Sequence, residues 1–157
     1  MGTHYRGRRE EVRALDAYIK LMRAANSVQG RLDRHLGRHR LRENQLGVLE
    51  VLLHLGPLTQ KEVGRKLFTS GANVTTIVDN LEKRGLVTRV RGQEDRRQVT
   101  LHLTREGRAL IERVFPLHLR EIVAGFRALG AKEQADLSRL CKTLGTAQAD
   151  IPIDESD

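Results

Sequence analysis

Cysteine is nearly absent from this 157-residue chain, in which Cys141 stands alone. A single cysteine excludes an intramolecular disulfide framework and a cysteine-based zinc site, so we expect a reducing, cytoplasmic setting. Cys141 falls on the apolar face of the last predicted helix, which predicts a buried, inert thiol rather than a redox sensor.

Long apolar runs and catalytic motifs are also missing. No stretch approaches the roughly 20 apolar residues that cross a bilayer, and no signal-peptide pattern opens the chain, so we expect no membrane partner. The sequence contains no phosphate-binding glycine loop, no zinc-protease motif and no nucleophile elbow. We therefore expect no enzymatic activity, no cofactor and no metal.

Aromatic residues number only five, whereas leucines number 23, a balance typical of a leucine-packed helical protein. Lysine and arginine total 28 against 20 aspartates and glutamates, giving a net charge of +8. Arginine supplies 22 of the 28, and its planar fork matches phosphate oxygens. The charge favours a polyanionic partner, although on charge alone an ordinary solvated surface fits equally well.

A long helix with two apolar faces is predicted from residue 10 to about residue 36. The first stripe is Val12, Leu15, Ile19 and Met22, and the second is Tyr18, Leu21, Ala25, Val28 and Leu32. Because two apolar faces need two packing partners, we expect one stripe to meet another subunit.

Three shorter helices follow the first. The second is predicted from about Arg42 to Leu55. Thr59 and Glu62 match a capping box, which predicts the start of the third. Ser70 is the predicted N-cap of the fourth, and Gly85 the residue that ends it.

Alternation with a period of two then predicts a β-hairpin, with strands at residues 87–91 and about 98–103 around a turn at 92–95. A long helix is predicted from Thr104 to about Leu129, with Pro116 inside it, where we expect a kink. A last helix at about 131–144 precedes an acidic, flexible tail at 148–157.

The third and fourth predicted helices and the basic hairpin follow the order of a winged helix-turn-helix, whose second helix enters the major groove. With Val74, Ile77 and Leu81 toward the core, the opposite face of this helix is small and polar. Asparagine can pair with adenine, and threonine can contact a base edge or the thymine methyl, so this face suits base reading; an ordinary solvated face is the alternative. The predicted DNA contacts here are Ser70, Ala72, Asn73, Thr75, Thr76, Asn80 and Lys83.

The hairpin region is basic, because six lysines and arginines from Lys83 to Arg97 oppose only Glu94 and Asp95. Such a hairpin should meet phosphates or the minor groove. We interpret Asp95 as an acceptor that orients a neighbouring arginine, with an ordinary turn aspartate as the alternative. The predicted DNA contacts of the hairpin are Arg89, Arg91, Asp95, Arg96 and Arg97.

The chain closely resembles the MarR family of bacterial winged-helix regulators over about residues 10–145. The resemblance is carried by residues 56–60, 70–87, 94–97 and 103–107. Its most specific parts are the run Leu-Glu-Lys-Arg-Gly-Leu-Val at 81–87 and the Asp-Arg-Arg of 95–97. The resemblance implies a homodimer with interlocked terminal helices, a pseudo-palindromic operator, and repression relieved by a small ligand or by oxidation. It also implies that residues 70–84 form the reading helix and that Arg97 enters the minor groove. The family often has threonine where this chain has Arg42, so the second helix lacks its usual cap.

The resemblance further implies a small phenolic or aromatic effector in a cleft between the dimer helices and the winged-helix lobe. The residues predicted to line this pocket are Arg34, His35, His39, His54 and His118. Structural or solvent-facing histidines are the alternative. His35 and His39 also have the spacing of metal ligands, but no carboxylate or thiolate partner accompanies them at matching spacing.

The predicted fold is mainly α with a small β-hairpin wing. A winged helix-turn-helix DNA-binding domain at 41–104 is combined with a helical dimerisation region at 10–40 and 105–147. The predicted function is that of a sequence-specific transcriptional regulator, a ligand-responsive repressor that binds double-stranded DNA as a homodimer. The alternatives are a non-specific architectural DNA-binding protein and a protein-interaction module on the same scaffold.

Overall fold

The computed structural model describes residues 3–67, 71–91 and 99–147. The elements in chain order are α1 (Arg9–Gly37), α2 (Glu43–Leu55), β1 (Leu58–Thr59), α3 (Gln60–Lys66), α4 (Gly71–Lys83), β2 (Val87–Arg91), β3 (Val99–Leu103), α5 (Arg105–Phe126) and α6 (Ala131–Ala147). This mainly helical architecture with one small antiparallel sheet confirms the predicted fold class. Every helix in the described ranges is too short or too polar to span a bilayer.

The chain divides into two compact units, Met1–Glu121 and Ile122–Asp157. The core of the first unit is formed mainly by aliphatic side chains of α2, α3, α4 and the sheet, and Leu36 of α1 and Ile111 and Val114 of α5 belong to the same cluster. Its fully buried large residues include Leu49, Leu52, Val63, Val74, Val78, Leu81, Val87 and Leu101. Each such side chain contributes about 1.5–3 kcal/mol when it leaves water, so this region carries most of the hydrophobic stabilisation.

Two predicted helix ends are confirmed in atomic detail. At the start of α3, the Glu62 backbone N–H donates to Thr59 Oγ1 at 3.3 Å, and the Thr59 N–H donates to Glu62 Oε2 at 2.8 Å. At the end of α4, Gly85 has a φ of 66°, and the N–H of Leu86 reaches back to the carbonyl of Leu81 at 3.0 Å. Glycine adopts this left-handed conformation without a steric cost, which explains its place there.

The start of α2 carries half of a capping box. The Arg42 backbone N–H donates to Gln45 Oε1 at 3.1 Å, while the Arg42 side chain makes no cap hydrogen bond. The helix nevertheless begins at Glu43, one residue after the predicted start.

The sheet contains a strand that the sequence analysis missed. Its order is β1-β3-β2, all antiparallel, and β1 adds only Leu58 and Thr59, opposite Leu101 and Thr100 of β3. The β2–β3 hairpin itself is confirmed, with Val87 opposite Leu103 and Arg91 opposite Val99.

The start of α5 is locked onto the end of α4. Thr104 Oγ1 accepts from the Gly107 N–H at 2.9 Å and donates to the Gly85 carbonyl at 2.6 Å. A Cβ on Gly107 would lie 1.9 Å from the Leu86 carbonyl oxygen, so only glycine permits this close approach. The helix then continues through Pro116 and ends at Phe126, three residues before the predicted end.

The terminal helices bury few of their residues. In the first unit, the 29-residue α1 buries only Leu32 and Leu36, and it exposes Tyr18, Leu21 and Met22. In the second unit, α6 buries no residue. The prediction that Cys141 is buried is therefore wrong for the single chain, in which its thiol is exposed.

Candidate nucleic-acid interface

Helix α4 has one apolar face and one polar face, as the sequence predicts. Val74, Ile77, Val78 and Leu81 are all buried in the core. The predicted reading residues Asn73, Thr75, Thr76, Asn80 and Lys83 are exposed. Ser70 and the side chain of Ala72 lie outside the described residues. Burial of the apolar stripe thus fixes the rotation of α4 and keeps its polar face outward.

The base of the hairpin lies beside α4, and Arg91 is exposed at the end of β2. The tip, residues 92–98, lies outside the described residues, and with it the predicted contacts Asp95, Arg96 and Arg97. The roles assigned to them therefore stay predictions.

Arg89 on β2 lies at a junction of three elements. Its Nη2 contacts Asp79 Oδ1 at 2.5 Å, its Nη1 pairs with the Glu82 carboxylate, and its Nε donates to Gln60 Oε1 at 3.3 Å. Burial acts to lower the pKa of Arg89, but the hydrogen bonds that its guanidinium donates to Asp79 and Glu82 prevail and raise it. Arg89 is a predicted DNA contact, and its carboxylate partners were not predicted from the sequence. The signal for them is the two-residue alternation that places Arg89 on the same face of β2 as buried Val87.

An open groove of about 1740 Å³ lies between α4 and the turn that joins α1 to α2. Asn73, Thr76, Asn80 and Lys83 line it on the α4 side. The charged residues around the rest of the groove are Asp33, Arg40, Arg42, Glu43 and Arg84. Arg84 Nη1 donates to the Arg40 carbonyl at 2.7 Å and thereby ties the turn to the end of α4. Basic side chains outnumber acidic ones here, so the charge of the groove suits a sugar-phosphate strand beside α4.

Arg40 and Arg42 are absent from the DNA contacts predicted from the sequence. The available signal is the alternation of arginine at positions 38, 40 and 42, directly before the second helix. The sequence does not show that these two arginines lie beside α4, because their position there depends on how α2 packs on α4.

Three of the predicted pocket residues form a cluster in the first unit. The ring centroid of His35 lies 5.4 Å from that of His39 and 6.1 Å from that of His118. Among the described residues, His35 Nε2 and His118 Nδ1 are buried and have no hydrogen-bond partner. Burial lowers the pKa of both His39 and His118, so both rings favour the neutral form.

The other two predicted pocket residues are His54 and Arg34. His54 is exposed and its ring meets Phe115 edge-on at 5.4 Å, and Arg34 is exposed on α1. Across the described ranges, no group of three histidine, cysteine, aspartate or glutamate side chains has the arrangement of a metal site.

Comparisons with known sequences cover most of the chain. The profile of the MarR family matches residues 41–98. The chain is 34% identical over 137 residues to the uncharacterized HTH-type transcriptional regulator YkoM of Bacillus subtilis, which covers 87% of this chain and 89% of YkoM.

Two solved structures share the fold. A cysteine-to-serine mutant of Escherichia coli MarR complexed with operator DNA matches with a TM-score of 0.73 and 24% identity, over 79% of this chain and 89% of that one. Bordetella bronchiseptica BpsR, whose DNA binding is regulated by 6-hydroxynicotinic acid, matches with a TM-score of 0.74 and 24% identity, over 82% and 98%. At this identity the likeness establishes a common fold alone.

Proposed function

The chain belongs to the MarR family of helix-turn-helix transcriptional regulators, and we propose that it is a homodimeric, ligand-responsive repressor of a pseudo-palindromic operator. The observation that carries this proposal is the outward polar face of α4, held by a fully buried opposite stripe and bordered by a basic groove. A helix presented in this way reads base edges in the major groove.

The proposed DNA contacts divide into two classes. Asn73, Thr76 and Asn80 read base edges, because their amide and hydroxyl groups match the donors and acceptors of the major groove. Lys83, Arg91 and the groove arginines Arg40 and Arg42 contact phosphates. The proposal keeps Ser70, Ala72, Thr75, Asp95, Arg96 and Arg97 as further contacts.

A second copy of the chain is the proposed partner of the terminal helices, residues 10–40 and 105–147. Exposed apolar side chains on α1 and α6, including Tyr18, Leu21, Met22 and Leu140, support this assignment, since single soluble chains seldom leave so many on one helix. A twofold dimer would present two reading helices to two half-sites about 34 Å apart. Repression would follow from competition with polymerase for the same promoter DNA.

The proposed effector is a small aromatic or phenolic compound that binds beside His35, His39 and His118. Two buried ring nitrogens of this cluster have no hydrogen-bond partner among the described residues, so a ligand hydroxyl or carboxyl group could satisfy them. The regulation of BpsR by 6-hydroxynicotinic acid supports the same class of compound. The test adds hydroxylated aromatic acids to the protein bound to a DNA duplex that it selects from a random pool. The acids should weaken DNA binding by the wild type but not by His118→Gln.

The experiment that tests the function is selection of bound duplexes from a random DNA pool, with the dissociation constants of the selected duplexes remeasured at two salt concentrations. A shared inverted repeat that binds far more tightly than scrambled DNA is the expected result. Steep salt dependence without an enriched motif would favour an architectural DNA-binding protein. Absence of binding would favour a protein-interaction module.

A further inference from the structure

The Arg89 junction connects the wing to both helices of the helix-turn-helix. The guanidinium reaches Asp79 and Glu82 of α4 and Gln60, the first residue of α3. The Arg89 backbone N–H also donates to Glu82 Oε1 at 3.1 Å. Gln60 Nε2 in turn donates to Thr75 Oγ1 at 3.1 Å, so the network ends on the reading helix.

Engagement of the whole guanidinium argues against a role for Arg89 as a phosphate ligand. Each of its three nitrogens already has an oxygen partner, and the side chain is only 25% exposed. Two carboxylates surround one guanidinium, so the junction carries a net negative charge. A phosphate would be repelled there, whereas exposed Arg91 two residues later presents an uncompensated cation among the described residues.

The position of the junction explains what such a network can do. It joins the middle of β2, the strand that leads to the hairpin tip, to the C-terminal half of α4. A multidentate arginine fixes direction as well as distance, because its planar fork allows few orientations. These contacts fix the angle between the reading helix and the wing in the free protein. Binding to DNA then costs little conformational entropy, because this angle does not have to be ordered in the complex.

We propose that Arg89 is a positioning residue, which locks the wing to the reading helix through Asp79, Glu82 and Gln60 and so sets the sequence specificity of DNA recognition without contacting DNA. This role rests on the proposed DNA-binding function, because Arg89 orients the two surfaces proposed to contact DNA, which are α4 and the wing.

The first test compares Arg89→Gln with the matched control Arg91→Gln, using a duplex selected from the random pool and a scrambled duplex. For Arg89→Gln, we expect the dissociation constant of the selected duplex to rise about tenfold while that of scrambled DNA changes less than about threefold. Its salt slope should stay within about 0.3 units of the wild type, whereas Arg91→Gln should lose about 0.9 units per protomer. A slope loss in Arg89→Gln equal to that of Arg91→Gln would overturn the proposal.

The second test releases Arg89 without removing it. The double variant Asp79→Asn/Glu82→Gln makes each protomer two charges more positive, so electrostatics alone would tighten DNA binding. If Arg89 acts as a lock, the ratio of scrambled to selected dissociation constants should instead fall about tenfold. Tighter binding of the selected duplex with an unchanged ratio would identify Arg89 as a DNA ligand and contradict the lock.

A measurement without DNA separates this proposal from the proposed function. In the NMR spectrum of the free protein, the Arg89 Nε–H should exchange with water much more slowly than that of Arg91, and the double variant should abolish the difference. Equal exchange in the wild type would overturn the lock. Slow exchange in a protein that enriches no duplex would reject the proposed function and the role of Arg89 in specificity, but would confirm that Arg89 fixes β2 on α4.

If Arg89→Gln fails to fold, Arg89→Lys keeps the charge without the planar fork and should show the same loss of specificity to a smaller degree.

Discussion

The winged-helix region and the terminal helices differ in how much of their own sequence they bury. Within residues 41–103, α2, α4 and the sheet place aliphatic side chains in one continuous core. By contrast, α1 buries two residues of 29 and α6 none of 17. The winged-helix region therefore supplies most of the core, to which α5 adds Ile111 and Val114, while α1 and α6 keep apolar surface that a second subunit can cover.

The same contrast extends to polar groups. The winged-helix region satisfies its polar side chains locally, through the Thr59–Glu62 capping box and the Arg89 junction. The helices around it contribute a histidine cluster in which two buried nitrogens have no partner among the described residues. This histidine cluster beside the winged-helix region fits the proposed ligand-responsive repressor, because a ligand that satisfies the two nitrogens in one conformation would favour that conformation.

The strongest test of the comparison is a cavity in the winged-helix core. Leu49 on α2 is fully buried, so Leu49→Ala should lower the free energy of unfolding by about 2–5 kcal/mol through lost burial and a residual cavity. Leu55→Ala on the same helix is the control, because Leu55 is 54% exposed and its loss should cost less than about 0.5 kcal/mol. Urea denaturation measures both, and equal losses would show that α2 does not anchor the core as the structure describes.

A charge on α1 probes the other side of the comparison. Leu21→Glu should raise the dissociation constant of the dimer at least about 30-fold, because a carboxylate would be buried at the subunit contact, while the winged-helix region stays folded. Sedimentation equilibrium measures the dimer, and circular dichroism the fold. Ser27→Glu is the matched control, since it adds the same charge at an exposed position outside both predicted apolar stripes. An unchanged dimer in Leu21→Glu would refute the proposed dimerisation surface.

Features that depend on nearby residues were predictable from the sequence. The α4 stripe, the Thr59 cap, the Gly85 helix end and the hairpin each follow from residues within one or two turns of one another. Strand β1 was missed because a two-residue strand has no periodicity, and its pairing with β3 joins residues 41 and 43 positions apart.

Two expectations concerning single side chains depended on information that local patterns lack. The carboxylate partners of Arg89 lie 7 and 10 residues earlier, on a different element. The burial expected for Cys141 came from the apolar face of its helix, but an apolar face becomes buried only where a partner covers it. The apolar face of α6 was thus predictable from the sequence, but whether a partner covers it was not.

A smaller effect tests whether the winged-helix region is stabilised locally. Thr59→Ala removes the hydroxyl that accepts from the Glu62 N–H, so the free energy of unfolding should fall by about 1 kcal/mol. Thr143→Ala in α6 is the matched control, because its hydroxyl donates only to the Arg139 carbonyl of its own helix, and we expect a change within about 0.5 kcal/mol. Equal effects of the two changes in thermal unfolding would mean that the cap contributes no stability of its own.

The smallest expected effect concerns pH and the buried ring of His118, which is 4% exposed. Burial lowers its pKa below 6.5, and this outweighs the opposing attraction of Glu43. As the pH falls, His118 in the unfolded chain takes up a proton before His118 in the folded chain, so the unfolded state binds more protons. The stability that neutral His118 maintains is therefore complete above about pH 6.5 and is lost as the pH falls toward the lowered folded-state pKa.

Substitution of His118 should accordingly flatten the acid side of the stability profile. Urea denaturation at several pH values between 7.5 and 5.5 should give a smaller loss of unfolding free energy for His118→Gln than for the wild type. His4→Gln, at an exposed position, should leave the wild-type profile unchanged. Because the readout is the slope with pH, a packing loss common to all pH values does not obscure it. Parallel profiles for His118→Gln and the wild type would show that His118 is protonated equally in the folded and unfolded chains. Burial would then not keep this ring of the histidine cluster neutral.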